Sequence, residues 1–405
     1  MKTKETNKYF TLLSLYLAQS IPMSFFSTVV PVIMRMENYS LESIGYLQLV
    51  KLPWIIKFLW APLVDRTSQN ARQYRRWIFI SESFYAIIIF ATGFFNLETS
   101  FTTIIILMII AFLASATHDI ATDAFAILIL KEKERSLGNS MQSAGNFMGT
   151  LVGSGILLVI YHYWGWKYLL FLLAAFVVVV LIPVSLYPAK KQKAPVKSRK
   201  NISPLEFIHF FRQKKIIGHL LLLFLFYSGL IGILTMIKPY MVDLGYDVKE
   251  IGFISGIFGT ACGTIMTIPA GMLIRKIGLT KAVWVFPALN LLTAVFFYSL
   301  TFTNHPLYLI YIGIAMLWSS YAMSSVFVYT LAMKIVRNGR EGTDFTIQIV
   351  ITHISSLFIA VMSGKVADAI AYRGLFFIEI ILALMLLILI PLFFKNNFYN
   401  KNGNS

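Results

Sequence analysis

The chain has 405 residues, 58% of them hydrophobic and 13% charged, with a mean hydropathy of +0.73. A soluble domain must cover its surface with polar groups, so water is excluded as the main solvent and a separate soluble catalytic domain finds no room. The formal charge of +17 would point to nucleic acid in a soluble protein; here the basic residues read first as topology signals, and no nucleic-acid partner is expected.

Apolar stretches delimited by charge run in chain order at 9–34, 44–64, 77–96, 101–130, 137–160, 166–187, 217–238, 250–274, 282–302, 306–333, 344–368 and 373–394. They predict an all-α integral membrane protein of twelve spans in two six-helix bundles related by a pseudo-two-fold axis, each stretch near the roughly 20 residues a bilayer core requires. Met1 to Lys8 is short and basic and leads into a run too long for a cleaved signal, so the first span is expected to be retained. With both termini placed in the cytoplasm, 27 of the 35 Lys and Arg fall on the inner side. Five lie outside (Arg35, Lys167, Lys238, Lys249, Arg373) and three within spans (Lys51, Lys57, Lys365), the asymmetry that the positive-inside rule demands. The break from Pro188 to Lys215 is Lys-rich, holds Pro188, Pro195 and Pro204, and cannot bury a core. It divides the chain into a first bundle at 1–187, a basic cytoplasmic linker at 188–216 and a second bundle with a short tail at 217–405. Within the linker, Pro204 to Phe211 is expected to form an interfacial helix. The single cysteine, Cys262, excludes an intrachain disulfide and a thiolate metal cluster.

An internal repeat links the halves. The second stretch opens with Ser43-Ile44-Gly45-Tyr46 and ends in Ala61-Pro62-Leu63-Val64-Asp65-Arg66; the eighth opens with Glu250-Ile251-Gly252-Phe253 and ends in Gly271-Met272-Leu273-Ile274-Arg275-Lys276. These turns resemble the Gly-x-x-x-Asp-Arg/Lys signature of the major facilitator superfamily, with Ala61 in place of the first glycine and Gly278 and Lys281 continuing the second copy. Lys57 to Arg66 and Ala116-Thr117-His118-Asp119-Ile120-Ala121-Thr122-Asp123-Ala124 are similar to segments of AmpG-type permeases, with His118-Asp119 where those have Gln-Asp. Glu134 to Asn139, with Gln142 and Gly145 following, looks closer to the siderophore importers of the RhtX/FptX branch, and Gln142 and Asn146 are candidates for contact with substrate or for coupling. The resemblance implies a secondary-active transporter and not an enzyme, with anhydro-muropeptides, siderophores or acetyl-CoA as the known substrate classes.

Ionisable groups inside spans are functional candidates by default. Asp119 and Asp123, four residues apart, share one helix face and could hold a proton between them, or could pair with Lys57 or Arg135. Lys51 and Lys57 lie too deep to snorkel and, on a regular helix, point to different faces; Lys57 is the expected partner of a carboxylate such as Asp119. His118 has no further ligands at metal-binding spacing, so no metal and no cofactor are expected. His353 is read as a packed, hydrogen-bonded histidine that could also handle protons. In the resembled fold the first, fourth, seventh and tenth helices line the central cavity, which offers Gln19, Ser20, Ser115, His118, Tyr227, Ser228, Trp318 and Tyr321 to a solute. Glu82 and Glu379, on helices expected to be peripheral, receive no role. Asp65 is expected to close the inner side through Arg135 or the start of the eleventh helix near Thr343 and Asp344, with Arg66, Arg275 and Lys276 completing the gating loops.

The sequence thus predicts a monomeric permease of the cytoplasmic membrane that imports an anionic or amphipathic solute by proton symport, without a nucleotide-binding segment. Its rivals are an integral membrane transferase using His118 and Asp119, whose adjacency in sequence gives poor relay geometry, and a receptor that does not transport.

Overall fold

The structure is a computed structural model that describes residues 2–36, 48–68, 70–96, 99–187, 202–203 and 205–394. The opening of the first repeat copy (43–46) and most of the inter-half linker lie outside the described residues. Every regular element among the described residues is helical. The chain begins with α1 (Lys2–Ser24), a π-helical stretch at Phe25–Val29 and α2 (Val30–Met36). Two 3-10 turns, Gln48–Lys51 and Lys57–Leu59, alternate with the short helices α3 (Leu52–Ile56) and α4 (Ala61–Thr67). Next come α5 (Ala71–Thr92), α6 (Phe101–Ile129), α7 (Arg135–Leu151) and α8 (Leu157–Leu186). The second half holds α9 (Glu206–Phe211), α10 (Ile216–Leu225), α11 (Ile231–Asp243), α12 (Val248–Ile251), α13 (Gly259–Ile277), α14 (Leu279–Leu300), α15 (Leu307–Lys334) and α16 (Glu341–Phe393).

Seven helices among the described residues are long and apolar enough to cross a membrane. Two of these, Glu132–Leu186 and Glu341–Phe393, contain backbone breaks, at Gly165 (φ 72°) and at Ile370 and Ala371 (φ 58° at Ala371). An unbroken helix of that size would measure roughly 80 Å, more than twice a hydrocarbon core, so each break divides it into lengths that suit a bilayer. The protein is a multi-pass membrane protein.

The chain forms two compact units. The first comprises Met1–Lys131, Gly145–His209 and Val336–Ile347; the second comprises Glu132–Ala144, Phe210–Ile335 and Gln348–Ser405. Residues 336–347 thus group with the first unit and 132–144 with the second. The core of the first unit gathers Phe25, Phe26, Phe112 and Leu170. There α1 runs close against 145–153: a Cβ on Gly145 would stand 2.8 Å from that of Tyr16, and one on Gly153 2.7 Å from that of Ser24, the small-residue packing by which helices associate in lipid. The core of the second unit gathers Leu230, Ile233, Phe297, Leu317 and Phe376. Between α10 and α11 the helix gives way to a turn with Gly229 at φ 95°, and the Glu379 carboxylate accepts hydrogen bonds from the backbone amides of Gly229 and Gly232. A Cβ on Gly229 would lie 2.7 Å from that of Ala383, so both the turn and the packing hold glycine at this position.

Candidate functional site: a buried ion pair and a capped helix

Pro53 and Pro62 stand at the starts of α3 and α4 and interrupt what a regular pattern would make one helix. The interruption matters for the two lysines, since a 3-10 turn changes the angle between successive side chains. Lys51 ends the first turn half-buried, whereas Lys57 opens the second and is 1% exposed. Of the two ammonium groups expected at depth, one is sealed from solvent.

Lys57 forms an ion pair with Asp119 of α6, and its Nζ lies 4.6 Å from the centre of the Trp54 ring. Gln19 Nε2 donates to the other Asp119 oxygen at 2.9 Å. Taking two charges out of water costs several kcal/mol per ion, which attraction offsets only when the remaining lone pairs are satisfied; Gln19 supplies that satisfaction here. Because its amide N–H₂ faces Asp119, the Gln19 Oε1 faces His118 Nδ1 at 3.2 Å, and Nδ1 therefore carries the ring hydrogen. On the other side of the ring Nε2 stands 3.2 Å from the Thr122 hydroxyl, which donates to it. His118 Nδ1 is also 3.4 Å from Oε2 of Glu82, a fully buried carboxyl on α5. Sequence reasoning left Glu82 without a role because α5 was expected to be peripheral; its nearness to His118 crosses helices and leaves no signal in local spacing.

Other candidates divide among separate environments. Asp123 accepts from the Tyr16 hydroxyl at 2.7 Å, so Asp119 and Asp123 share a helix face but have different partners. Ser20 donates to Asn146 at 2.6 Å. In the second unit the rings of Tyr227 and Tyr321 are 5.4 Å apart, the Tyr227 hydroxyl is 3.4 Å from Ser325, and Trp318 packs where Gly259 leaves space. Gln142 is buried in the same unit. His353 occupies an exposed position on α16. Among the described residues no group of three or more His, Cys, Asp or Glu could hold a metal.

The carboxylate of the loop signature is held by four hydrogen bonds. Asp65 accepts from Gly342 N (2.9 Å), Thr343 N (2.7 Å), Thr343 Oγ1 (2.6 Å) and the Tyr74 hydroxyl (2.6 Å). The first amides of a helix have no partner within it and carry the positive end of its dipole, so a carboxylate from α4 caps α16 from outside. A Cβ at Gly342 would come within 2.8 Å of Asp65 Oδ1 and 3.0 Å of Ile120, so the approach depends on glycine. Arg135, offered as an alternative partner for Asp65, donates instead to the Met333 carbonyl at 2.9 Å in the second unit. Arg66, Arg275 and Lys276 are exposed.

Beside the cap lies a cluster absent from the sequence reading. Arg337 grips Asp344 with Nε (2.8 Å) and Nη2 (2.6 Å), and extends Nη1 to Glu206 at 2.8 Å. Arg340 Nε also reaches Glu206, at 2.6 Å. Burial alone would lower the affinity of Arg337 for its proton, but the hydrogen bonds and charges of Asp344 and Glu206 outweigh it and raise the guanidinium above its ordinary value. The cluster fastens the first residue of α9 to the segment that precedes α16.

Residues 9–347 and 220–404 match the family model of the Major Facilitator Superfamily. The chain is 24% identical over 387 residues to the anhydromuropeptide permease of Escherichia coli strain K12, covering 94% of this chain and 78% of that protein. It is 25% identical to the putative transporter AmpG 3 of Rickettsia typhi, over 95% and 94% of the two chains. Among solved structures it is similar in fold to a bacterial homologue of the iron transporter ferroportin in an outward-facing state (TM-score 0.71, 16% identity, 96% and 99% coverage). The Escherichia coli fucose:proton symporter FucP shares the fold as well (TM-score 0.69, 14% identity, 96% and 98% coverage). These relatives are permeases and transporters rather than enzymes. With a family match over most of its length, and an all-helical membrane fold shared with such transporters, the chain belongs to the major facilitator superfamily.

Proposed function

We propose that this transporter imports an anionic, amphipathic solute of the anhydro-muropeptide class by proton symport, with twelve spans in two bundles that expose a central site to one side of the membrane at a time. The observation that carries the reading is the buried Lys57–Asp119 pair with Gln19 on its second oxygen. A carboxylate shared between one lysine and one amide is exchangeable: when the pair opens, a solute carboxylate can take the place of Asp119 on the Lys57 ammonium group. Peptide carboxylates on a sugar scaffold suit that exchange, and the anhydro-muropeptide class is the one named for the Escherichia coli relative. The membrane potential supplies about 2.3 kcal/mol per charge per 100 mV, enough for accumulation without a nucleotide. The Lys and Arg asymmetry supports cytoplasmic termini, and the relatives support the inner membrane of a bacterium.

The test is uptake of labelled anhydro-muropeptide into proteoliposomes with an imposed pH gradient, with a labelled siderophore in parallel. The wild type should accumulate the former only when the gradient is present, and Asp119→Asn should abolish accumulation. Undiminished uptake by the variant would remove Asp119 from the mechanism, and uptake of the siderophore alone would reassign the substrate.

A further inference from the structure

Glu82 is fully buried, and neither carboxyl oxygen has a hydrogen-bond donor. Among the described residues its ion-pair contact is with His118 Nδ1 at 3.4 Å, whose hydrogen is directed to the nearer Gln19 Oε1 at 3.2 Å. Among the described residues no Lys or Arg stands within ion-pair distance of it. On α6, Asp119 adds a negative charge already matched by Lys57; α1 presents the uncharged Gln19; α8, which packs along α5, buries Ala174 and Val177. One turn along α5, Tyr85 is the other titratable neighbour, its hydroxyl near Ser115. A bare carboxylate in such a place would go uncompensated, at a cost far above that of a neutral acid.

We propose that Glu82 is a proton-binding site of the transport cycle, loaded in this conformation, and that His118 and Gln19 report its charge to the Lys57–Asp119 pair. The release step balances simply. When water reaches Glu82, its O–H bond breaks and the proton passes to that water. The new carboxylate then draws the Nδ1–H hydrogen bond of His118 away from Gln19 Oε1, a redirection between two acceptors already 3.2 and 3.4 Å from the same nitrogen. Gln19, deprived of that donor, holds Asp119 less firmly, and the ion pair opens. The ligand is a single proton, Glu82 binds it, and His118 is a positioning residue. The proposal rests on the proton-symport reading for its place in transport, but the proton site can be measured without any solute.

The experiment uses the purified full-length protein in lipid nanodiscs and reads the infrared stretching band of protonated carboxyl groups near neutral pH. Glu82→Gln should remove one such band that Asp119→Asn leaves in place, and Glu82→Asp should restore it at a shifted position. In proteoliposomes, a gradient of one pH unit carries a factor of about ten for one proton. Glu82→Gln should reduce that tenfold accumulation of labelled anhydro-muropeptide to unity, and Glu82→Asp should recover part of it, which a merely misfolded site would not do. A band unchanged by Glu82→Gln overturns the proposal, whatever the transport result. A wild type that shows the Glu82 band but no gradient-driven accumulation refutes proton symport and, with it, the place of Glu82 in the cycle.

Discussion

Replacing Asp65 by Asn tests whether this carboxylate holds the start of α16. The substitution keeps shape and removes charge. Gly342 N and the Tyr74 hydroxyl bond one oxygen, and Thr343 N and Oγ1 bond the other. Either orientation of an asparagine amide therefore turns an N–H₂ group towards a backbone N–H donor. The backbone amide facing that group loses its acceptor, while the hydroxyl on the same side can turn to accept, so one charge-assisted hydrogen bond is forfeited and the cap should weaken by about 1.5–3 kcal/mol. Hydrogen exchange read on peptides covering 336–347 provides the assay, since the Gly342 and Thr343 amides are protected chiefly by these bonds. At the lower bound, with 1.4 kcal/mol per tenfold, exchange at the amide left without an acceptor should accelerate about tenfold. Exchange unchanged in Asp65→Asn would refute the claim that Asp65 rather than packing closes this helix end.

Two further outcomes follow from the charged contacts. Lys57→Met leaves Asp119 buried without its cation and should lower the melting temperature in detergent by the equivalent of about 3–5 kcal/mol, while Lys57→Met combined with Asp119→Asn should recover much of the loss. A double variant no more stable than Lys57→Met alone would dismiss the pair as an energetic unit. Glu206→Gln keeps the size of the acceptor for Arg337 and Arg340 but weakens two charge-assisted bonds, so amide exchange within α9 should rise about tenfold with α6 unaffected. Equal protection in both forms would place the anchor of α9 elsewhere.

Elements with a strong local signature were legible in the sequence. Apolar length and charge alternation indicated a helical membrane protein, and the repeated loop turns pointed to the superfamily. The pairing of Lys57 with a fourth-helix carboxylate and of Asp65 with the beginning of α16 could be anticipated because buried charges have few possible partners. What stayed hidden depends on contacts between remote segments. Glu82 meets His118 across two helices, Glu206 meets Arg337 across 131 positions, and Arg135 reaches a carbonyl at Met333. A carbonyl acceptor carries no side-chain identity, so no residue pattern announces it. The break around Lys57 was missed for another reason: proline is common in membrane helices, and its presence alone does not say where the hydrogen-bond ladder stops.

The glycine turn between α10 and α11 bears on how shape can change. Straight helices resist bending because every residue on the flexing side must stretch a bond. Here the ladder is already open, and its loose amides rest on a carboxylate borrowed from α16. Tilting one piece against the other would load this carboxylate together with the turn's own hydrogen bonds from Ser228, Leu230 and Ile231, so a side chain from a distant helix shares the work of holding the two pieces in line.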